Sequence, residues 1–161
     1  MKVKTLVGNG IVAALYIAVS FIIQPFGFTN IQFRVSEIFN HLVVFNKKYM
    51  IGIVLGVFLT NLFFSPMRAY DLVFGVGQSI IALLITIIIS KFIKNIWGRM
   101  IVNTIVFTIT MFLIAIELHL AFDLPFTITW VTTAIGEFVV MAIGAPIMYY
   151  LNKRVNFEQQ L

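Results

Sequence analysis

Long apolar runs separated by short polar or proline-bearing breaks make up nearly the whole chain. The first runs from Thr5 to Gln24 and stops at Pro25 and Gly27. A second, shorter run from Gln32 to Phe45 is interrupted by Arg34, Glu37, Asn40 and His41 and ends at Asn46-Lys47-Lys48. The third covers Tyr49 to Phe64 and stops at Ser65-Pro66. The fourth covers Asp71 to Phe92, with Ile80 to Ile89 its most apolar part. Lys91, Lys94 and Arg99 flank the connection to the fifth run, Met100 to Phe122, which Asp123 and Pro125 end. The sixth covers Thr127 to Leu151 before Asn152-Lys153-Arg154. A helix needs about 20 apolar residues to cross the hydrocarbon, and a membrane β-barrel needs period-two strands instead of unbroken apolar runs. The pattern therefore predicts an all-α membrane protein of six transmembrane helices, a single integral domain over residues 1–161. Met-Lys-Val-Lys precedes the first run with no small-x-small cleavage site after it, so that run is expected to be a retained helix and not a signal peptide.

Composition narrows the class further. The chain is 61% hydrophobic and 11% charged, with a mean hydropathy of +1.04; soluble domains carry about a quarter charged residues. A soluble globular protein is excluded, and six spans leave no room for a separate catalytic or nucleic-acid-binding domain. The net charge of +5 then bears on orientation, because basic residues collect on the cytoplasmic side. Lys2, Lys4, Lys47, Lys48, Lys91, Lys94, Arg99, Lys153 and Arg154 fall on one side of the six-helix arrangement, against Arg34 and Arg68 on the other. Both termini are expected in the cytoplasm. With no cysteine there is no disulfide, Fe–S ligand or thiol nucleophile.

Five of the six acids, Glu37, Asp71, Glu117, Asp123 and Glu137, fall in the outer half or near the middle of the membrane. With a rise of ~1.5 Å per residue, Glu117 lies ~8 Å below the outer end of helix five, Gln78 ~10 Å into helix four and Glu137 ~15 Å into helix six. Polar groups from four helices thus share one depth zone, closed below by the apolar stretch of helix four. This is the geometry of an outward-facing small-molecule pocket. Glu137, after Gly136 in an apolar helix, carries an insertion cost of roughly 2.5 to 3.5 kcal/mol and needs a compensating partner, either a bound ligand or another group in the bundle. Glu117 is open to both a pocket role and snorkelling to the outer surface.

Arg34 and Glu37, at i and i+3, can pair with each other or meet a ligand. Gln32 and Phe33 precede them in a loop whose Phe26, Phe28 or Phe33 can cover the pocket and stack on a flat ligand. Asp71 reads first as an N-cap, and Trp130 first as an interfacial belt residue. His119 lies two residues from Glu117 and so on another face, and His41 is isolated, so no metal site is expected. No Ser/His, Asp/Asp or His-rich constellation supports an enzyme. Gly10, Ala14 and Ala18 make a small-residue stripe on helix one, as Gly52 and Gly56 do on helix three; such stripes serve internal packing or docking of a partner membrane protein.

Several stretches carry a family resemblance: Asn9-Gly10-Ile11-Val12-Ala13-Ala14-Leu15-Tyr16, Ile31-Gln32-Phe33-Arg34-Val35-Ser36-Glu37, Asn61-Leu62-Phe63-Phe64-Ser65-Pro66, Asp71-Leu72-Val73-Phe74-Gly75 and Gly136-Glu137. In this order, over nearly the whole chain, they resemble the substrate-binding S-components of energy-coupling factor transporters, specifically the QueT family assigned to queuosine precursors. Asn40-His41 and Met67-Arg68-Ala69-Tyr70 depart from that pattern. The resemblance implies a multi-pass protein of the bacterial plasma membrane, with no ATPase and no cofactor of its own. It implies capture of ligand outside the cell and docking, through Gly10, Ala14 and Ala18, on a transmembrane T-component bound to two ATPases.

The implied ligand suits the acids. A 7-deazaguanine presents N1–H and a 2-amino group on one edge, which a buried carboxylate accepts in charge-assisted bonds; Glu137 is the first choice. Glu37, Asp71 or Glu117 can meet the cation of an aminomethyl-bearing precursor. Gln78 can bond the O6 carbonyl or a ring N–H, and Trp130 or a first-loop aromatic can stack on the bicycle. With Gln32 and Arg34 these complete the expected substrate contacts. The alternatives are an S-component for another vitamin or nucleobase, since folds outlast ligands, and a self-sufficient proton-coupled carrier using Glu137, for which no convincing repeat symmetry is found.

Overall fold

The computed structural model describes residues 3–23 and 33–161, which are helical almost throughout and contain no strand. Helix α1 spans Val3–Ile22, and α2 spans Val35–Phe45. After a 3₁₀ turn at Lys47–Tyr49, α3 runs over Met50–Phe64 and α4 over Arg68–Ser90. Helix α5 covers Ile96–Phe122 in two pieces, Ile96–Thr110 and Phe112–Phe122. Helix α6 spans Phe126–Val155, and a last turn, α7, covers Phe157–Gln160.

Five segments are long and apolar enough to cross a membrane: α1, α4, α5, α6, and α3 taken together with the turn before it as Lys47–Phe64. The second predicted segment differs from the other five. It has seven residues of 3₁₀-helix (Val35–His41) followed by four of α-helix (Leu42–Phe45), which at ~1.5 to 2.0 Å per residue fall short of the ~30 Å hydrocarbon. The remaining segments match their predicted runs to within a few residues at each end.

Neighbours in the bundle follow chain order except at α2. Helix α1 packs on α3, α3 on α4, α4 on α5 and α5 on α6, while α2 sits between α1 and α6 and reaches inward to α4 and α5. Every residue from Asn40 to Phe45 is buried, as expected of a short helix surrounded by others. Missing side chains allow the closest approaches. A Cβ on Gly144 of α6 would stand 2.7 Å from Cγ2 of Ile38, and one on Gly56 of α3 would stand 2.7 Å from Cβ of Tyr16. Gly52 lies likewise against Asn9, whose Oδ1 accepts from the Gly52 N–H at 2.7 Å. The apolar interior centres on Ile53, Leu83, Met100, Phe107 and Met141.

The outer surface is apolar like the interior, and the interior also holds polar groups. Val73, Ile88, Ile101, Ile128 and Phe138 face outward, while Glu37, Asn40, His41, Asp71, Asn103, Glu117 and Glu137 are buried. Outward apolar side chains suit lipid, and buried polar groups must find partners inside the bundle. The break in α5 at Met111 shows how. The Ile109 carbonyl accepts from the Met111 N–H and from Nε1 of Trp130 on α6 at 3.2 Å, and Thr110 Oγ1 accepts from Gln78 Nε2 at 3.0 Å.

Candidate functional site

Arg34 opens α2, and the 3₁₀ geometry that follows places residues three apart in line. Glu37 and Asn40 therefore stack, and Asn40 Nδ2 donates to Glu37 Oε2. The other Glu37 oxygen accepts from the Tyr16 hydroxyl of α1 at 2.6 Å. Arg34 itself reaches across to α4, where Nη2 meets Asp71 Oδ1 at 3.0 Å. The internal Arg34–Glu37 bridge that the i, i+3 spacing suggested is replaced by this longer-range pair, because Glu37 is turned toward Tyr16.

Asp71 is held from three sides. Its Oδ2 accepts from the Ser65 hydroxyl and its backbone carbonyl from Asn61 Nδ2 at 3.1 Å, both at the end of α3. The N-cap reading of Asp71 is corrected: Met67 occupies the cap, and Asp71 lies within the first turn of α4. Gly75, one turn further on, makes room for this cluster. A Cβ there would lie 2.8 Å from Asn61 Nδ2 and 3.6 Å from Arg34 Nη1.

Two more carboxyls, from α5 and α6, complete the zone. Glu117 interacts electrostatically with Asp71 and Arg34, and Glu137 with Glu37 and Arg34. Both are 0% exposed; neither oxygen of Glu137 has a hydrogen-bond partner among the described residues, while Glu117, bonded to no donor there, faces the Asp71 carboxyl. One guanidinium thus stands in the field of four carboxyls carried by α2, α4, α5 and α6. Two of the four are bonded within the protein. Glu137 offers both oxygens as acceptors and Glu117 adds a carboxyl beside Asp71, an arrangement suited to a ligand rich in N–H donors or carrying positive charge.

The remaining expected contacts are engaged elsewhere. Gln78 is buried beside the α5 break, bonded to Thr110, and Trp130 bonds the Ile109 carbonyl and packs on Phe112 and Phe126. Gln32, Phe26 and Phe28 lie outside the described residues. Phe33 lines a cavity of about 20 Å³ with Tyr16, Ser20, Arg34, Thr60 and Asn61, a space of the order of one water molecule. Tyr16, Asn40, Asn61, Ser65 and Gly75 were not singled out as site residues from the sequence. For Tyr16, Asn40 and Asn61 the signal was available, since each is a polar group inside an apolar run and subject to the same cost argument as Glu137.

A second buried network lies one turn along α2 from Glu37. His41 Nε2 is 2.9 Å from the Met141 carbonyl, Nδ1 is 3.2 Å from Asn103 Nδ2, and Thr86 Oγ1 donates to Asn103 Oδ1 at 2.9 Å. The carbonyl fixes Nε2 as the protonated nitrogen, leaving Nδ1 as acceptor. His41 is thereby bound into the protein. His119 is separate, its Nδ1 lying 2.8 Å from the Leu124 carbonyl at the end of α5.

Comparison with known proteins places these features in a family context. The family model described as QueT transporter matches residues 6–153. The chain is 34% identical, over an alignment of 167 residues covering 98% of each protein, to the queuosine precursor transporter QueT of Lactococcus lactis subsp. cremoris (strain MG1363). No solved structure matches the chain.

Proposed function

The chain belongs to the QueT transporter family, and on that premise we propose that it is a multi-pass S-component of an energy-coupling factor importer that captures a queuosine precursor of the 7-deazaguanine type. The observation that carries the substrate reading is Glu137, fully buried and without a hydrogen-bond partner among the described residues, with a second buried carboxyl, Glu117, beside the Arg34–Asp71 pair. Glu137 accepts the N1–H and 2-amino hydrogens of the deazaguanine, whose two donors match a carboxylate's two oxygens. Glu117 meets a cationic 7-substituent. Arg34 and Asp71 hold the helices around the ligand, with Glu37 locked to Tyr16 and Asn40.

In this reading Val35–Phe45 is the sixth membrane segment, entering from the outer face among the other five. Both termini are cytoplasmic, in keeping with the nine-to-two distribution of Lys and Arg. The T-component docks on α1. Gly10, Ala14 and Ala18 are all exposed, and a Cβ on Gly10 would have nothing within 4 Å, so this stripe is left open by the described residues. Gly52 and Gly56, by contrast, are filled by Asn9 and Tyr16.

Calorimetric titration of the detergent-solubilised protein with 7-cyano-7-deazaguanine, 7-aminomethyl-7-deazaguanine and queuine tests the substrate, with guanine and riboflavin as controls. Tight binding of one 7-deazaguanine, with guanine much weaker, is expected. No heat from any of the three would remove the substrate assignment. Transport by the chain alone in liposomes, without T-component or ATPases, would instead favour a self-sufficient carrier.

A further inference from the structure

At the end of the bundle away from Arg34 and Asp71, four helix ends surround a cavity of about 220 Å³. Its polar wall is Lys47 before α3, Ser90 and Lys91 at the end of α4, and Arg99 in the first turns of α5. The opposite wall is apolar, formed by the end of α2 from Val43 to Phe45 and by Ile87. No carboxylate lines it among the described residues. We propose that this cavity binds a phosphate-bearing anion, with Lys47, Lys91 and Arg99 supplying charge and Ser90 a hydroxyl donor.

Ser90 is the observation that separates this cavity from an ordinary basic helix end. Hydroxyls on these helices usually bond a carbonyl of the preceding turn, as Ser79 does to Gly75, Thr104 to Met100 and Thr133 to Thr129. Ser90 Oγ is buried, in a residue only 9% exposed, and has no hydrogen-bond partner among the described residues. A buried hydroxyl left unbonded costs free energy that a bound acceptor removes.

The cations differ from their neighbours in the same way. Lys4 and Lys48 donate to the Gln159 and Leu161 carbonyls, and Lys153 lies over the Tyr149 and Tyr150 rings. Lys47 and Lys91 make no such bond among the described residues. Arg99 Nε donates to the Ile93 carbonyl at 2.6 Å, which fixes the guanidinium at the wall and leaves its two terminal nitrogens for a bidentate contact of the kind phosphate accepts. The carbonyl end of α4 contributes roughly half a negative charge, too little to offset three cations. The apolar wall suits the glycerol and first acyl carbons of a lipid, and basic pockets between membrane helices are sites for anionic headgroups.

Native mass spectrometry of the full, detergent-purified chain titrated with phosphatidylglycerol and with phosphatidylcholine tests the site, with inorganic phosphate added in a separate arm. Phosphatidylglycerol is expected to bind at least tenfold more tightly than phosphatidylcholine. The combined Lys47→Gln, Lys91→Gln and Arg99→Gln variant should lose about tenfold and Ser90→Ala about threefold, while Lys94→Gln, outside the cavity, should lose nothing. If the triple variant fails to fold, the exposed Lys47→Gln and Lys91→Gln carry the test singly, each with about threefold loss. Displacement of phosphatidylglycerol by millimolar phosphate, with the same dependence on these residues, supports the site with the free anion as its occupant. Equal affinity for the two lipids with no phosphate binding, or phosphatidylglycerol binding unchanged in the variants, overturns the proposal.

Discussion

Arg34 and Asp71, 37 residues apart in the chain, meet at 3.0 Å with side chains 10% and 0% exposed. Their pairing ties the start of α2 to the first turn of α4, and Asn61 and Ser65 hold Asp71 to the end of α3. Three helices thus depend on one ion pair in a setting where neither charge can be left without an opposite.

Removing one partner should therefore cost more than removing both. Asp71→Leu alone is expected to destabilise the protein by about 3–5 kcal/mol, since it takes from a buried guanidinium the carboxylate that meets it at 3.0 Å. Arg34→Met combined with Asp71→Leu should recover a large part of that loss. Thermal unfolding in detergent measures both, and a double variant no better than the single one would show that the pair contributes little.

Glu137 should behave in the opposite way. Its oxygens have no partner among the described residues, so Glu137→Gln should leave the unfolding midpoint unchanged or slightly raised. Binding of the 7-deazaguanine ligand should weaken about 10- to 100-fold, corresponding to a lost charge-assisted hydrogen bond of roughly 1.5–3 kcal/mol. Calorimetry on the variant reads this directly; unaltered affinity would remove Glu137 from the guanine edge.

The His41–Asn103–Thr86 network predicts a coupled pair. Asn103→Ala leaves both His41 Nδ1 and Thr86 Oγ1 without the partners they have now, at a cost of about 1–3 kcal/mol. A double-mutant cycle with Thr86→Val should return a coupling of about 0.5 kcal/mol or more. Additivity in that cycle would mean that the Thr86–Asn103 hydrogen bond contributes no net stability.

Glycines of α1 and α3 should respond differently to alanine. At Gly56 the new Cβ would stand 2.7 Å from Tyr16 Cβ, so Gly56→Ala should cost about 1–3 kcal/mol through forced helix separation. At Gly10 nothing lies within 4 Å, and Gly10→Ala should be neutral or stabilise by up to about 1 kcal/mol. Gly10→Leu should preserve ligand binding by the isolated chain yet reduce precursor uptake by cells if α1 is the docking face. Uptake at the wild-type level, with the leucine variant folded and present, would move docking to another surface.

Much of the candidate site could be read one residue at a time. Glu37, Asp71, Glu117 and Glu137 stand out because a charge in an apolar run needs a reason, and their depths along the helices already brought them to one level. The partner of each was not legible. Arg34 pairs with Asp71 and not with Glu37, since a 3₁₀ turn aims Glu37 at Tyr16, and the choice between 3₁₀ and α within Val35–Phe45 follows from packing among five neighbours. Gln78 reads as a pocket residue by depth and Trp130 first as a belt residue; that both also bond at the break at Met111 was not legible, since no proline or glycine announces it.

Hydropathy alone carries the helical membrane class, the position of the long helices and the identity of the costly intramembrane acids, because the ~30 Å of hydrocarbon imposes its length and polarity on every segment that crosses it. The shortness of the second helix, the separation of bonded from unpartnered carboxyls, and the division of small residues into a filled face on α3 and an open face on α1 depend on which surfaces meet. Lipid constrains each helix through its own composition, whereas hydrogen bonds between helices depend on rotations and offsets of a few ångströms that are decided jointly by all of them.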